Sequence, residues 1–279
     1  MMFYGKVIAF ILILLTALQL AAANIVCTTY PVWLIARDIV GSDSDLQVKL
    51  LMKQTGNCAH EYNPTPQDLK QLAMPDTILI CNGMDLDKHL VHSAYRVNKK
   101  LQVVNASDAG DTFDVHNFAA PDTALRMAEN ISQELSKLLP EQAAVFQKNH
   151  QVFASAMQKI IKDVPLPHSG KTVILQSNLF RNMARFAGLS VEMLHLERAS
   201  AVSPAKLQKL LRHNRNQKFQ AILAEEDLND PASEKISFSG KIPIIKLNMF
   251  LSGPDDPPAH YFITVMQSNL VKLQKGLAR

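Results

Sequence analysis

A thiol and an imidazole, both able to hold a metal ion, stand close together in one turn-rich stretch of this chain. Residues 56–69 read GNCAHEYNPTPQDL, with Cys58 and His60 two positions apart and a Thr65-Pro66 helix start just downstream. A neutral imidazole is a good nitrogen donor to a transition metal. A thiolate beside it would shift the preference toward zinc or Cu(I); a disulfide or a buried thiol is the other reading of Cys58. Glu225 and Glu226 close the apolar run QAILAEE, and a parallel sheet points such strand ends at its ligand crevice. Glu225 is thus a candidate ligand, or else a capping or solvated carboxylate. His89 and His92 lie i, i+3 on one helix face and read as solvated surface.

Catalytic patterns are missing. The sequence contains no G-x-S-x-G, H-E-x-x-H, G-x-G-x-x-G or phosphate-loop motif. The adjacent acids Asp255 and Asp256 have no nucleophile or base pattern near them. The expectation is a binding protein and not an enzyme.

The elements that must position these residues follow from hydrophobic periodicity. Short apolar, β-branched runs alternate with amphipathic stretches. NIVCTTY, LQVKLLM, DTILICNG and LQVVNAS read as strands, separated by the helical stretches PVWLIARDIVG, TPQDLKQLA and MDLDKHLVHSAY. From Pro121 to Val164 the pattern is helical only, broken at Pro140. Alternation then resumes with TVILQS, NLFRNMARFAG, LSVEMLHL, SPAKLQKLLRHN, QAILAEE and PIIKLNMF, before a closing helix HYFITVMQSNLVKLQKGL. The expected class is α/β: two lobes, each a parallel sheet flanked by helices, joined by a long connecting helix. The expected division is an N-terminal lobe over 24–120, connecting helices over 121–164 and a C-terminal lobe over 165–279.

Composition fits this plan. In 279 residues, 47% are apolar and 19% charged, enough for a sizeable core. Residues 1–23 read as a signal peptide: MMFYGK, an uncharged apolar run, and Ala21-Ala22-Ala23 as the cleavage site before Asn24. No cysteine stands at that junction in a lipobox-like setting, so the expectation is an exported, soluble, periplasmic protein. The formal charge of +4 is spread along the chain, which argues against nucleic acid as a partner. In an oxidising compartment two of Cys27, Cys58 and Cys81 could pair, and the sequence does not choose which.

Longer stretches carry a family resemblance. GNCAHEYNPTPQDLKQLAMPDTILICNGMDLDKHL presents a histidine, an aromatic, P-T-P and then a strand ending in N-G; TTYPVWLIARDIVG precedes it, and SPAKLQKLL and the closing helix follow. Over nearly the whole mature length these resemble the solute-binding receptors of ABC importers for zinc and manganese, the ZnuA/TroA-like family. The resemblance implies four metal ligands, two from each lobe. His60 matches the first, and His116, in DVHNFAAP, the second.

The third position, three residues before Phe180 and eleven before Gly188, is Ser177 where the family has His or Glu. The fourth, an aspartate in the family, is Asn248 in IIKLNMFL. A hydroxyl and an amide oxygen are weaker donors and bring no charge to a divalent cation. The His- and acid-rich loop of many zinc members is absent too. The resemblance implies zinc or manganese as cargo, a membrane permease of an ABC importer as partner, and a monomer. Two other readings stay open: a small organic ligand or metal chelate in the cleft, and an envelope accessory protein with no bound metal.

Overall fold

The computed structural model describes residues 23–42, 45–52, 62–83, 85–107, 116–166, 170–194 and 202–278. The first half runs β1 (Asn24–Cys27), α1 (Tyr30–Val40), β2 (Gln47–Leu50), α2 (Pro66–Leu72), β3 (Thr77–Cys81), α3 (Asp85–Val97) and β4 (Gln102–Asn105). After helices α4 (Pro121–Leu138) and α5 (Ala143–Asp163) come β5 (Thr172–Leu175), α6 (Arg181–Phe186), β6 (Ser190–Met193), α7 (Pro204–Gln217), β7 (Ala221–Glu225), α8 (Pro231–Gly240), β8 (Ile244–Leu247) and α9 (Tyr261–Leu277).

The two halves repeat one topology. The strand orders are β2-β1-β3-β4 and β6-β5-β7-β8, and every described pairing is parallel. Strand order therefore reverses beside β1 in one lobe and beside β5 in the other, the places where open parallel sheets bind ligands. The loops after the strands, holding Thr28, Gln176 and Ser177, emerge at those carboxyl edges.

Helix starts are chemically explicit. The Thr65 side chain accepts from the Asp68 N–H, and the Asp68 carboxylate accepts from the Thr65 N–H at 2.7 Å, a complete capping box for α2. Ser203 caps α7 through the Lys206 N–H. A third hydroxyl- or acid-then-proline start, Asp230-Pro231, was not read from the sequence as a helix. Its carboxylate accepts from the N–H groups of Ala232 and Ser233, 3.2 Å each, and opens α8. A parallel β7–β8 pair requires such a crossover.

The connection between lobes is two helices. Pro140 opens a short 3₁₀ turn, Pro140–Gln142, and α4 and α5 pack on each other across it. Their buried faces, Met127, Ile131 and Leu135 on α4 and Phe146, Phe153 and Met157 on α5, enter the largest core cluster. That same cluster takes in Ile25 and Ile80 of the first sheet and Val173, Leu223 and Leu247 of the second, so the lobes share one core. At its centre Phe250 stacks on Phe262 at 4.3 Å, and Phe153 lies 6.0 Å from Phe262.

Cys27 and Cys81 are both free and buried. Cys27 belongs to the shared core and Cys81 to the separate cluster of Val26, Leu79 and Leu90 on the other sheet face. Period-two alternation thus keeps these two thiols apart. Cys58 lies outside the described residues, as do residues 1–22 of the expected signal. Among the described residues no helix is long and apolar enough to cross a membrane.

Candidate metal centre

His60 falls outside the described residues, but the anchor of its loop does not. Two residues on, the Tyr62 hydroxyl donates to Asp68 Oδ2, the same oxygen that accepts from Thr65 N–H and Thr65 Oγ1 at 2.7 Å each. One carboxylate oxygen thus gathers three donors, tying this end of the loop to the first turn of α2. Burial, with the Asp68 carboxylate beside it, pushes the Tyr62 hydroxyl pKa up.

His116 ends the loop after β4 and opens the 3₁₀ turn Asn117–Ala119, its ring edge-on to Phe118 at 6.0 Å. Its carbonyl accepts from the Ala119 N–H and from Asn182 Nδ2, both at 3.0 Å. Asn182 sits on α6 in the second lobe, so this is a bond across the cleft. A few residues along, Arg185 of α6 pairs with Asp122 of α4 at 2.7 Å. The residue before α6's 3₁₀ lead-in, Asn178–Phe180, is Ser177. Ser177 is only 6% exposed, and its side chain makes no capping hydrogen bond.

Glu225 ends β7 and is 3% exposed. Both oxygens of its carboxylate lie within reach of the Met249 N–H, at 3.3 and 3.4 Å. Its own N–H donates to Gln176 Oε1 at 2.8 Å. Asn248 is half-buried, and its Oδ1 accepts from the Phe250 N–H at 2.9 Å. The backbone N–H groups of residues 248, 249 and 250 therefore go to the side-chain oxygens of Asn269, Glu225 and Asn248. Side chains, not a sheet ladder, hold this loop in place. Burial on that scale demands such satisfaction.

Ser177, Glu225 and Asn248 come together at the carboxyl ends of neighbouring strands β5, β7 and β8. His116 meets the second lobe at Asn182, five residues after Ser177. Among the described residues no three His, Cys, Asp or Glu side chains converge on a point that could hold a metal ion. Among the described residues, buried polar atoms without a partner include Thr28 Oγ1 and Thr29 Oγ1 after β1 and Gln176 Nε2 after β5.

Sequence reasoning did not single out Asn182, Gln176 or Asn269. Asn269 carried a readable signal: it interrupts the apolar stripe Phe262, Val265, Met266, Leu270 and Leu273 on α9. Asn182 and Gln176 carried none.

Two parallel four-stranded sheets of the same strand order, packed around one shared core, make this a two-lobed α/β protein. The chain belongs to the family of the zinc-uptake complex component A, periplasmic, whose family model matches residues 25–276. This is a family of substrate-binding transport proteins and not of enzymes.

Among relatives, the chain is 22% identical over 249 residues to the metal ABC transporter substrate-binding lipoprotein SloC of Streptococcus mutans, covering 80% of this chain and 81% of that one. It is 25% identical to the zinc-binding lipoprotein AdcA of Streptococcus pneumoniae over 90% of this chain, but spans only 55% of AdcA. Among solved structures, the manganese-bound periplasmic metal-binding protein of Candidatus Liberibacter asiaticus superposes with a TM-score of 0.79 at 17% identity. That match covers 91% of this chain and 99% of the other. FpvC of Pseudomonas aeruginosa with Ni²⁺ gives a TM-score of 0.80 at 20% identity, covering 92% and 97%. These structures are like this chain in fold.

Proposed function

We propose that this chain is the exported capture component of an ABC importer, taking a divalent transition metal, zinc or manganese, in the cleft between its lobes. The observation that carries the reading is the bond from Asn182 to the His116 carbonyl, which draws the first-lobe histidine turn against the second-lobe segment that begins at Ser177. His60 and His116 are the primary ligands, with Glu225, Asn248, Ser177 and Cys58 as the residues available to complete a weaker set. Residues 1–23 act as a cleaved signal peptide, and the mature protein works in the periplasm as a monomer that delivers its cargo to a membrane permease. Residues 24–120 and 165–279 are the two lobes, and 121–164 join them.

The test is elemental analysis of the purified mature protein after zinc or manganese loading, beside a His60→Ala/His116→Ala double variant. Near-stoichiometric metal that disappears in the variant is the expected result. Equal metal content in both proteins would remove the two histidines from the site.

A further inference from the structure

The outer face of the second sheet is covered by α7 and α8, which pack side by side over the cluster of Ile174, Leu210, Ile222 and Ile236. Each is the crossover between parallel strands, so the two helices run the same way. Their last turns are joined, Asn214 Nδ2 donating to the Gly240 carbonyl at 3.1 Å. The solvent sides of α7 and α8 therefore form one continuous surface.

That surface is basic. Lys209, Arg212 and Arg215 lie on the exposed side of α7, Lys218 is exposed at its end, and no acid interrupts residues 203–218. Lys235 is exposed on α8 and Lys241 just after it, and the single acid of α8 is Glu234. Among the described residues none of these cations is in an ion pair; the pair that α7 does make joins His213 to Glu192 at 3.2 Å. Arg215, in the last turn of α7, is favoured there by the helix end itself. The others have no such account. Cations scattered along the sequence are gathered here by the fold.

Among them stands an aromatic ring. Phe238 of α8 is 89% exposed, where Val152 and Met74, the next most exposed large apolar residues described, are 48% and 45% exposed. Ser233 and Ile236 are the buried residues of α8, so Lys235 and Phe238, i and i+3, share its outward side. A ring held in water forgoes the burial that favours it elsewhere.

A ring projecting from a field of unpaired cations complements a bilayer interface that bears anionic phospholipids. There the ring enters the boundary between headgroups and acyl chains, and Lys and Arg meet phosphates. A second copy of the same face would set like charge against like.

We infer that α7 and α8 form a docking face for an anionic phospholipid surface, with Phe238 inserted and Lys209, Arg212, Arg215, Lys218, Lys235 and Lys241 on the phosphates. Phe238 stands at the end of α8 that leads into β8, whereas Ser177, Glu225 and Asn248 stand at the opposite ends of their strands. Docking through this face is thus independent of the candidate metal residues.

The experiment is cosedimentation of the mature protein with vesicles of phosphatidylcholine alone and of phosphatidylcholine mixed with phosphatidylglycerol, at low and raised salt. The expected result is binding to the mixed vesicles only, weakened by salt. Phe238→Ala should weaken it about tenfold, and Lys235→Ala and Lys241→Ala about fivefold each. Lys99→Ala/Lys100→Ala, which removes two exposed cations from the first lobe, should leave it nearly unchanged. Each variant is checked for an unchanged melting profile. An equal loss in the first-lobe variant would reduce the attraction to overall charge and overturn the inference, as would binding untouched by Phe238→Ala or no binding to either vesicle. Binding to native membrane vesicles but not to the protein-free mixed ones would assign the face to a membrane protein and overturn it as well.

Discussion

Asn269 and Asn248 exchange a pair of hydrogen bonds: Asn269 Oδ1 accepts from the Asn248 N–H at 3.0 Å, and Asn269 Nδ2 donates to the Asn248 carbonyl at 2.6 Å. Asn269 is 1% exposed on α9, so one buried side-chain amide does for the end of β8 what another strand would do. Replacing it by the near-isosteric Asn269→Leu leaves a donor and an acceptor unmet. Each costs about 1–3 kcal/mol when buried. Urea unfolding should show a loss of at least that size, and metal affinity should fall with it, because the loop holding Asn248 is released. A variant as stable as the parent would show that the pair does not anchor the loop.

Gly253 lies against the Tyr30 ring. A Cβ at that position would stand 2.7 Å from Tyr30 Cζ. Tyr30 has little room to yield, being buried and bonded to the Pro254 carbonyl. Gly253→Ala should therefore push the 252–255 segment off α1. Overpacking of this kind costs about 1–3 kcal/mol, readable as a lower urea midpoint, and Tyr30→Phe in the same background should recover only part of it.

Asp38 of α1 joins the lobes by accepting from the His260 N–H at 3.1 Å, with His260 Nδ1 3.4 Å away. Burial, the largest influence, raises its carboxyl pKa above the ordinary 3.8; the charge of His260, its N–H bond and Arg37 pull the other way. A raised folded value means the folded protein binds the proton more tightly than the unfolded chain. Its contribution is fully present below the unfolded pKa and is lost as pH rises through the folded one. Asp38→Asn, which keeps an acceptor and removes the charge, should gain stability relative to the parent as pH rises from the ordinary carboxylate range upward. Urea unfolding across a pH series from the acid side to neutrality checks this, and a difference that is flat with pH would contradict it.

Burial raises the thiol pKa of both Cys27 and Cys81. Thiolate is the reactive form, so iodoacetamide should leave both unmodified in the native protein and label them only in denaturant. Peptide mapping by mass spectrometry reads this directly. A Cys27–Cys81 linked peptide from native material would contradict the opposite-face placement.

The fold was legible where composition is emphatic. TVILQS, DTILICNG and QAILAEE hold strands because apolar, β-branched residues leave few alternatives, and the ends differ by only a few residues from Thr172–Leu175, Thr77–Cys81 and Ala221–Glu225. Helix α8 was hidden because PASEKISFSG buries just Ser233 and Ile236, so it shows almost no apolar stripe. Its start was written in the same acid-or-hydroxyl-then-proline grammar as Thr65-Pro66 and Ser203-Pro204.

The candidate site was legible only in part. Ser177 and Asn248 could be located by spacing within a family pattern. What holds them could not, because an amide on a helix, such as Asn182 or Asn269, has no sequence mark of the backbone group it will meet. Neither could the buried duty of Glu225, whose carboxylate reads from the sequence as a candidate ligand or else as a capping or solvated group.

The shared core bears on how cargo gets in and out. Opening the cleft by swinging one lobe away would draw α1 off the 253–260 segment, breaking the bonds of Tyr30, Arg37 and Asp38 to it and exposing apolar surface in proportion to the angle. A smaller movement confined to the rim would leave the aromatic stack of Phe250 and Phe262 intact. Capture and release would then be paced by small, local breathing, with the body of the protein acting as a fixed frame for a permease to grip.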